Sequence, residues 1–186
     1  IVKAYMKMGE YRNAIQVFLK ARWKYCSDQR RAEIEYQIGN CLYLLNEYQD
    51  ASNVLGNYLV NEEEGEFGEN AIFLLGDCFY KLDNYLGAFQ IFRKAIERYS
   101  KSNKVPGGIY CMGKSLRAMN MPESAIKILR EGLQAFPVDD TAGKMAFEIG
   151  MCYFDKGEYC LAYNAFDSFV KQYPQDELVV EAMIVM

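Results

Sequence analysis

The stretch IFLLGDCFYKLDNYLGAFQIFRKAIER, residues 72–98, contains the pattern that decides the fold. Its apolar residues recur at spacings of three and four before Asp83-Asn84 and again after it, a periodicity typical of amphipathic helices. Asp and Asn favour the tight turn that joins two such helices. The stretch therefore predicts a hairpin of two amphipathic helices.

The same pattern returns along the chain at intervals of 37 residues. Tripeptides that end in tyrosine occur at 9–11, 46–48, 83–85 and 157–159, and Pro122 takes the tyrosine position at the remaining interval. An alanine follows three residues after each of these positions: Ala14, Ala51, Ala88, Ala125 and Ala162. A fixed period of this length predicts a solenoid of repeated helical hairpins. We place the turns between helices at Gly9, Asn46, Asn84, Pro122 and Gly157.

The period sets the expected organisation of the chain. We expect a single array over residues 1–186, with repeats at approximately 1–31, 32–68, 69–105, 106–142 and 143–179, and with 180–186 opening a further repeat. The fold class is all-α, a right-handed α-solenoid of about five antiparallel helix hairpins. Because solenoids normally end in polar capping elements and both ends here are apolar, we expect a fragment of a longer chain.

Glycines also recur at this period, at Gly39, Gly76, Gly113 and Gly150. A glycine inside a helix costs about 1 kcal/mol relative to alanine, so its repeated presence requires a compensating gain. Close approach of the two helices of a hairpin supplies it, with Leu55, Phe92, Leu129 and Phe166 filling the space beyond.

Composition excludes several classes of function. A net charge of -4 offers no basic surface for nucleic acid. No apolar stretch approaches the roughly 18 residues that a membrane span needs. The absence of histidine removes the commonest general base and the commonest zinc ligand. Since no catalytic, metal or cofactor motif is present, we expect a protein that is not an enzyme and needs no cofactor.

Six cysteines are present, and none forms a Cys-x-x-Cys pair. In a chain long enough to bury a core, we interpret them as reduced, mostly buried thiols rather than a disulfide framework or a metal site. They are Cys26, Cys41, Cys78, Cys111, Cys152 and Cys160.

Taken together, these residues resemble the tetratricopeptide repeat family. The resemblance rests on an apolar residue before each recurring glycine, an aromatic residue or Leu three residues after it, the alanine and Phe/Leu positions, and Pro137 and Pro174. The period of 37 differs from the family's usual 34, and no tryptophan occupies the early position of the first helix. The longer repeat resembles the bacterial cell-envelope branch, which includes the outer-membrane-assembly lipoprotein and the Tol-Pal coordinator. That branch implies the periplasm, whereas six unpaired cysteines favour the cytoplasm.

The resemblance implies that the first helices of the hairpins line a concave groove that binds a protein ligand. Three rows of side chains fall on that face: Tyr36, Phe73, Tyr110 and Phe147; then Tyr43, Tyr80, Arg117 and Phe154; and between them Asn40, Asp77 and Lys114. The functional interpretation is an aromatic-rich groove for a peptide or an amphipathic helix. The alternative is core packing, since an aromatic stripe at helical spacing is often buried between helices.

We therefore expect a protein–protein interaction scaffold that binds a peptide or helix of a partner protein. The alternative is a structural segment of a larger homo- or hetero-assembly, which contacts its partners through its ends or its convex face. Neither hypothesis involves nucleic acid or a membrane span.

Overall fold

The computed structural model describes residues 1–24, 28–62 and 65–186, and within them all regular structure is helical. Eleven helices are present in this part of the chain. They are α1 (Val2–Lys7), α2 (Tyr11–Lys24), α3 (Asp28–Leu44), α4 (Tyr48–Glu62), α5 (Gly68–Lys81), α6 (Tyr85–Arg98), α7 (Val105–Ala118), α8 (Pro122–Ala135), α9 (Ala142–Asp155), α10 (Tyr159–Gln172) and α11 (Val179–Val185). The prediction of an all-α chain of helical hairpins is confirmed.

The chain divides into two compact units, Ile1–Ile91 and Phe92–Met186, with the boundary inside α6. In the first unit, α1 packs on α2, α2 on α3, α3 on α4 and α4 on α5. In the second unit, α7 packs on α8, α8 on α9, α9 on α10 and α10 on α11. Alternate helices also meet, since α3 contacts α5 and α7 contacts α9. Within each unit, helices that are neighbours in sequence thus pack on one another as stacked hairpins.

The recurring small residues form the centre of each hairpin. All five recurring alanines are at most 3% exposed, and the Phe/Leu position four residues later is equally buried at Leu55, Phe92, Leu129 and Phe166. A methyl group added at Gly39 would lie 2.8 Å from Cδ2 of Leu55. The corresponding additions at Gly113 and Gly150 would meet the side chains of Leu129 and Phe166. The glycines therefore allow the close approach of helices that the sequence predicts.

The turn residues recur every 37 residues, whereas two of the turn positions that we predicted from the sequence depart from this spacing. The left-handed backbone conformation falls at Gly9, Asn46, Asp83, Asn120 and Gly157, with φ between 56° and 73°. Two expected positions are wrong: the turn residue is Asp83 rather than Asn84, and Asn120 rather than Pro122. Asn84 instead accepts a hydrogen bond from the Gly87 amide at 3.0 Å and caps α6. Pro122 begins α8, a position where its missing N–H costs nothing.

Candidate functional site

The first aromatic row is largely part of the interior. In the first unit the ring of Tyr36 stacks on Phe67, with centroids 4.8 Å apart and planes 11° from parallel, and lies 6.2 Å from the ring of the buried Tyr58. Burial raises the pKa of the Tyr36 hydroxyl. Phe73, on α5, is only 7% exposed. Tyr36 and Phe73 therefore pack within the first unit. This agrees with the alternative interpretation of the row as core packing.

In the second unit, one residue of the first aromatic row is buried and the other is half-buried. Phe147 is 5% exposed, and its ring centroid lies 5.4 Å from Phe166 and 5.8 Å from Phe169 on α10. Tyr110, on α7, is half-buried, and Nζ of Lys114 lies 5.4 Å from the centroid of its ring. Lys114 therefore sits over an aromatic face at a distance typical of a cation–π contact. Tyr110 is the member of this row that stays accessible in the second unit.

The three aromatic members of the second row each pair with a residue that begins the next helix. Tyr43 meets Tyr48, Tyr80 meets Tyr85, and Phe154 meets Tyr159, with centroids 5.4 to 5.5 Å apart and planes inclined by 61° to 65°. This edge-to-face arrangement is a favourable geometry for aromatic rings. The pairs fix the rings at the end of each hairpin. Sequence reasoning missed them, although both partners recur at the 37-residue period.

Two of the partner tyrosines also hold the turn itself. The hydroxyl of Tyr48 donates a hydrogen bond to Oδ1 of Asn46, and that of Tyr85 donates to Oδ1 of Asp83, both at 2.6 Å. The hydrogen bond to the Asp83 carboxylate raises the pKa of Tyr85, because losing the proton would break it. The left-handed turn residue and the ring pair are therefore connected.

Arg117 takes the fourth-repeat position in the second aromatic row, and the structure gives it an ionic role. Its Nε lies 2.6 Å from Oε1 of Glu148, and one of its terminal nitrogens lies 3.0 Å from Oδ2 of Asp155. The Glu148 side chain is 4% exposed and that of Arg117 is 26% exposed. The two carboxylates raise the pKa of the Arg117 guanidinium against the opposing effect of burial. Arg117 thus joins α7 to α9, and its guanidinium is already committed to Glu148 and Asp155.

The accessible remainder of the predicted set forms one surface in each unit, and we call each surface the first-helix face of that unit. The two faces contain half-buried aromatic and polar side chains together with one exposed ring: Asn40, Tyr43, Asp77 and Tyr80 in the first unit, and Tyr110, Lys114 and Phe154 in the second. Phe154 is 39% exposed and its partner Tyr159 is 64% exposed. Such a surface offers fixed ring edges for apolar contact, and amide, carboxylate and ammonium groups for hydrogen bonds.

Among the described residues no group of three or more acidic or cysteine side chains is placed to hold a metal ion. Nor does the described part of the chain contain a helix with the length and apolarity needed to cross a bilayer. The described cysteines are not joined by disulfides, and Cys26 lies outside the described residues.

Burial makes three of these cysteines poor nucleophiles. It raises the pKa of the Cys41 thiol to about 11 and the pKa values of Cys78 and Cys152 to about 12. Because the thiolate is the reactive form, we expect these three to resist iodoacetamide in the native protein at pH 8, while the exposed Cys160 is alkylated. Peptide mapping by mass spectrometry over a time course would measure each rate. Rapid native alkylation of Cys78 or Cys152 would contradict the burial, and the same reaction in denaturant gives the reference rate.

Comparisons with known proteins agree with this architecture. Models of the tetratricopeptide repeat match residues 70–102, 146–176 and 1–21. No curated protein matches the chain in sequence. Among solved structures, the chain is similar to MamA from Desulfovibrio magneticus RS-1, with a TM-score of 0.78, 18% identity, and coverage of 95% of this chain and 93% of that one.

Two further solved structures have the same fold. Tetratricopeptide-like repeats of a kinesin light chain from Podosopora anserina give a TM-score of 0.75 at 10% identity, covering 92% of this chain and 90% of that one. YrrB, described as "a TPR protein with an unusual peptide-binding site", gives a TM-score of 0.73 at 17% identity, covering 98% of this chain and 88% of that one.

The matches show tetratricopeptide repeats in the segments that they cover and a tetratricopeptide-type helical solenoid as the fold. They do not support the finer resemblance to the outer-membrane-assembly lipoprotein or the Tol-Pal coordinator. Repeats of this kind are generally protein-interaction scaffolds rather than enzymes.

Proposed function

We propose that this protein is a non-enzymatic scaffold in which the first-helix face of each unit contributes contacts to a peptide or an amphipathic helix of a partner protein. The observation that carries the proposal is the row of aromatic rings at the ends of the first helices. Tyr43, Tyr80 and Phe154 are each fixed by an edge-to-face partner. Since a ring held in place before binding loses little further freedom, its contact area converts efficiently into affinity.

The polar members of the face fit a ligand with a peptide backbone. Asn40 and Asp77 lie three residues before Tyr43 and Tyr80 on their helices, so each shares a face with the ring that follows it. Lys114 has the same relation to position 117 and lies over the Tyr110 ring. Amide, carboxylate and ammonium groups beside aromatic rings can pair with backbone N–H and C=O groups that an extended or helical peptide presents. Similarity in fold to YrrB adds support, because that protein has a peptide-binding site.

The proposal predicts a loss of binding when two of these tyrosines are truncated. Peptides selected from a random display library against the intact chain would serve as probes, with affinity measured by fluorescence anisotropy. We expect Tyr80→Ala combined with Tyr110→Ala to weaken binding by at least about tenfold, because the aromatic contact area is lost. Tyr163→Ala is the matched control, since this residue is 50% exposed on α10 and lies off the first-helix face.

The melting temperatures of the variants distinguish a role of the tyrosines in binding from a role in packing. Tyr80→Ala also removes the ring pair with Tyr85, which is worth roughly 0.5–1.5 kcal/mol, so a small fall in melting temperature is expected. A large fall in melting temperature together with unchanged affinity would show that these tyrosines are structural. Measuring the two single variants separately assigns the effect to one unit or the other.

The second candidate function is a structural segment of a larger assembly. It is favoured by α10, where the rings of Tyr159 and Tyr163, one turn apart, are 64% and 50% exposed. Contiguous exposed aromatic side chains of this kind mark surfaces that associate with other proteins. A concentration series in multi-angle light scattering tests self-assembly, and a mass that stays monomeric at every concentration would count against the homomeric form.

A further inference from the structure

A cavity of about 400 Å³ lies in the second unit between the second helices α6 and α8 and over α7, and none of its lining residues belongs to the aromatic rows. All of its lining residues belong to the second unit. Its walls are mainly apolar, with Ile96, Ile109, Met112, Ile128 and Ala135 as the contributing side chains. Its volume is in the range of sites that bind ligands.

The repeat period provides an internal comparison. A cavity of about 370 Å³ in the first unit is lined by Arg31 and by seven residues that each lie 74 positions, or two repeats, before a lining residue of the second-unit cavity. There Arg22 and Glu35 form an ion pair at 2.9 Å, and Arg31 lies 3.4 Å from the same carboxylate. The equivalents of Arg22 and Glu35 in the second unit are Ile96 and Ile109. The same two repeat positions thus hold an ion pair in the first unit and two isoleucines in the second.

The difference in lining decides which cavity can accept an apolar group. Covering the first-unit cavity would remove water from the Arg22–Glu35 pair, which costs free energy. Covering the second-unit cavity would remove the half-buried side chains of Ile96, Ile109 and Ile128 from water, which is favourable.

The charges at the rim indicate the flanking chemistry of the ligand. Arg93 and Glu97 pair across one turn of α6, at 3.7 Å. Glu131 lies on the opposite wall, on α8, and makes no ion pair with any residue that the structure describes. The rim therefore carries one excess negative charge, which complements a positively charged side chain of a ligand.

We infer that this cavity is a second binding site, which takes two apolar side chains, one turn apart, of an amphipathic helix from a protein partner with a flanking Lys or Arg beside Glu131. The groove between two neighbouring second helices matches the recognition of an amphipathic helix by its apolar face. A site on these helices is separate from the first-helix face, so one scaffold would hold two partner segments at once.

The test uses an Ala-based helical peptide of about 16 residues with two Leu one turn apart and Lys beside them. Binding to the intact chain is measured by fluorescence anisotropy. We expect Ile128→Gln to weaken it at least about tenfold, and Glu131→Lys to weaken it while improving the binding of a matched peptide with Glu in place of Lys. Val54→Gln and Asn57→Lys, at the equivalent positions of the first-unit cavity, are the controls and should leave the affinity unchanged.

Methyl NMR of the methionines locates the peptide directly. The Met112 methyl group, assigned through Met112→Leu, should shift on titration with the peptide, while Met6 on α1 stays in place. Equal losses in the Ile128 and Val54 variants would overturn the inference, as would an unshifted Met112 signal. Binding that is insensitive to the charge at position 131 would also overturn it, because it would indicate non-specific apolar adsorption.

Discussion

Replacing Arg117 by methionine is expected to lower the free energy of unfolding by about 3 kcal/mol, because it leaves the Glu148 carboxylate buried without its partner. Glu148 is 3% exposed, and its Oε1 lies 2.6 Å from Nε of Arg117. Methionine keeps much of the aliphatic stem, so the loss reports mainly the charge. The expected value lies at the lower end for a broken buried pair, since Arg117 itself is a quarter exposed. Urea unfolding followed by circular dichroism measures it.

A double-mutant cycle distinguishes the missing charge partner from lost packing. Arg117→Met combined with Glu148→Leu should recover much of the stability, because replacing both members of a buried pair by apolar residues is often nearly neutral. Asp155 is 40% exposed at its side chain and stays hydrated in either variant. If the double variant is as unstable as the sum of the two single ones, the residues are not energetically coupled and the ion pair contributes only by packing.

The role of Arg117 shows where sequence reasoning reached its limit. The repeat period placed this residue on the row of Tyr43, Tyr80 and Phe154. It could not show that Glu148 would face it from the next first helix. The sequence did contain a sign of this ion pair. The positions one and two repeats before Glu148 hold Cys111 and Leu74, and the matching positions before Arg117 hold tyrosines. Among these repeats, the carboxylate therefore occurs only where an arginine is available to pair with it. Comparing the positions of Arg117 and Glu148 across neighbouring repeats would have predicted that these two residues pair.

The fold was predictable because its determinants are local and recur. Helical periodicity, the small residues and the turn residues each return every 37 residues, and each has a direct physical meaning. The exact turn residue was less predictable, since Asp83 and Asn84 both tolerate the left-handed conformation. For the first aromatic row, the sequence pattern did not show which residues are buried in the core and which lie at the surface. Periodicity places Phe147 on one face of α9, whereas its burial depends on Phe166 and Phe169 of the packed neighbour.

Substituting alanine for the recurring glycines tests the packing that carries the whole array. Alanine at Gly150 would bring a methyl group to 2.6 Å from Cδ1 and 2.8 Å from Cζ of Phe166, a ring with no exposed surface. A rigid ring at the centre of a hairpin cannot move aside without displacing α10, and such overpacking typically costs about 1–3 kcal/mol. This loss exceeds the gain of about 1 kcal/mol that alanine normally brings to a helix interior.

Gly56 supplies the matched control for that substitution. It lies in the interior of α4, and a methyl group added there meets nothing within 4 Å. Gly56→Ala should therefore stabilise the protein by about 0.5–1 kcal/mol, so the two variants should change the free energy of unfolding in opposite directions. Thermal unfolding of both, followed at the same helical signal, makes the comparison. If Gly150→Ala stabilises as much as Gly56→Ala, the helices can separate at no cost, and the recurrence of glycine at this position needs a cause other than close packing.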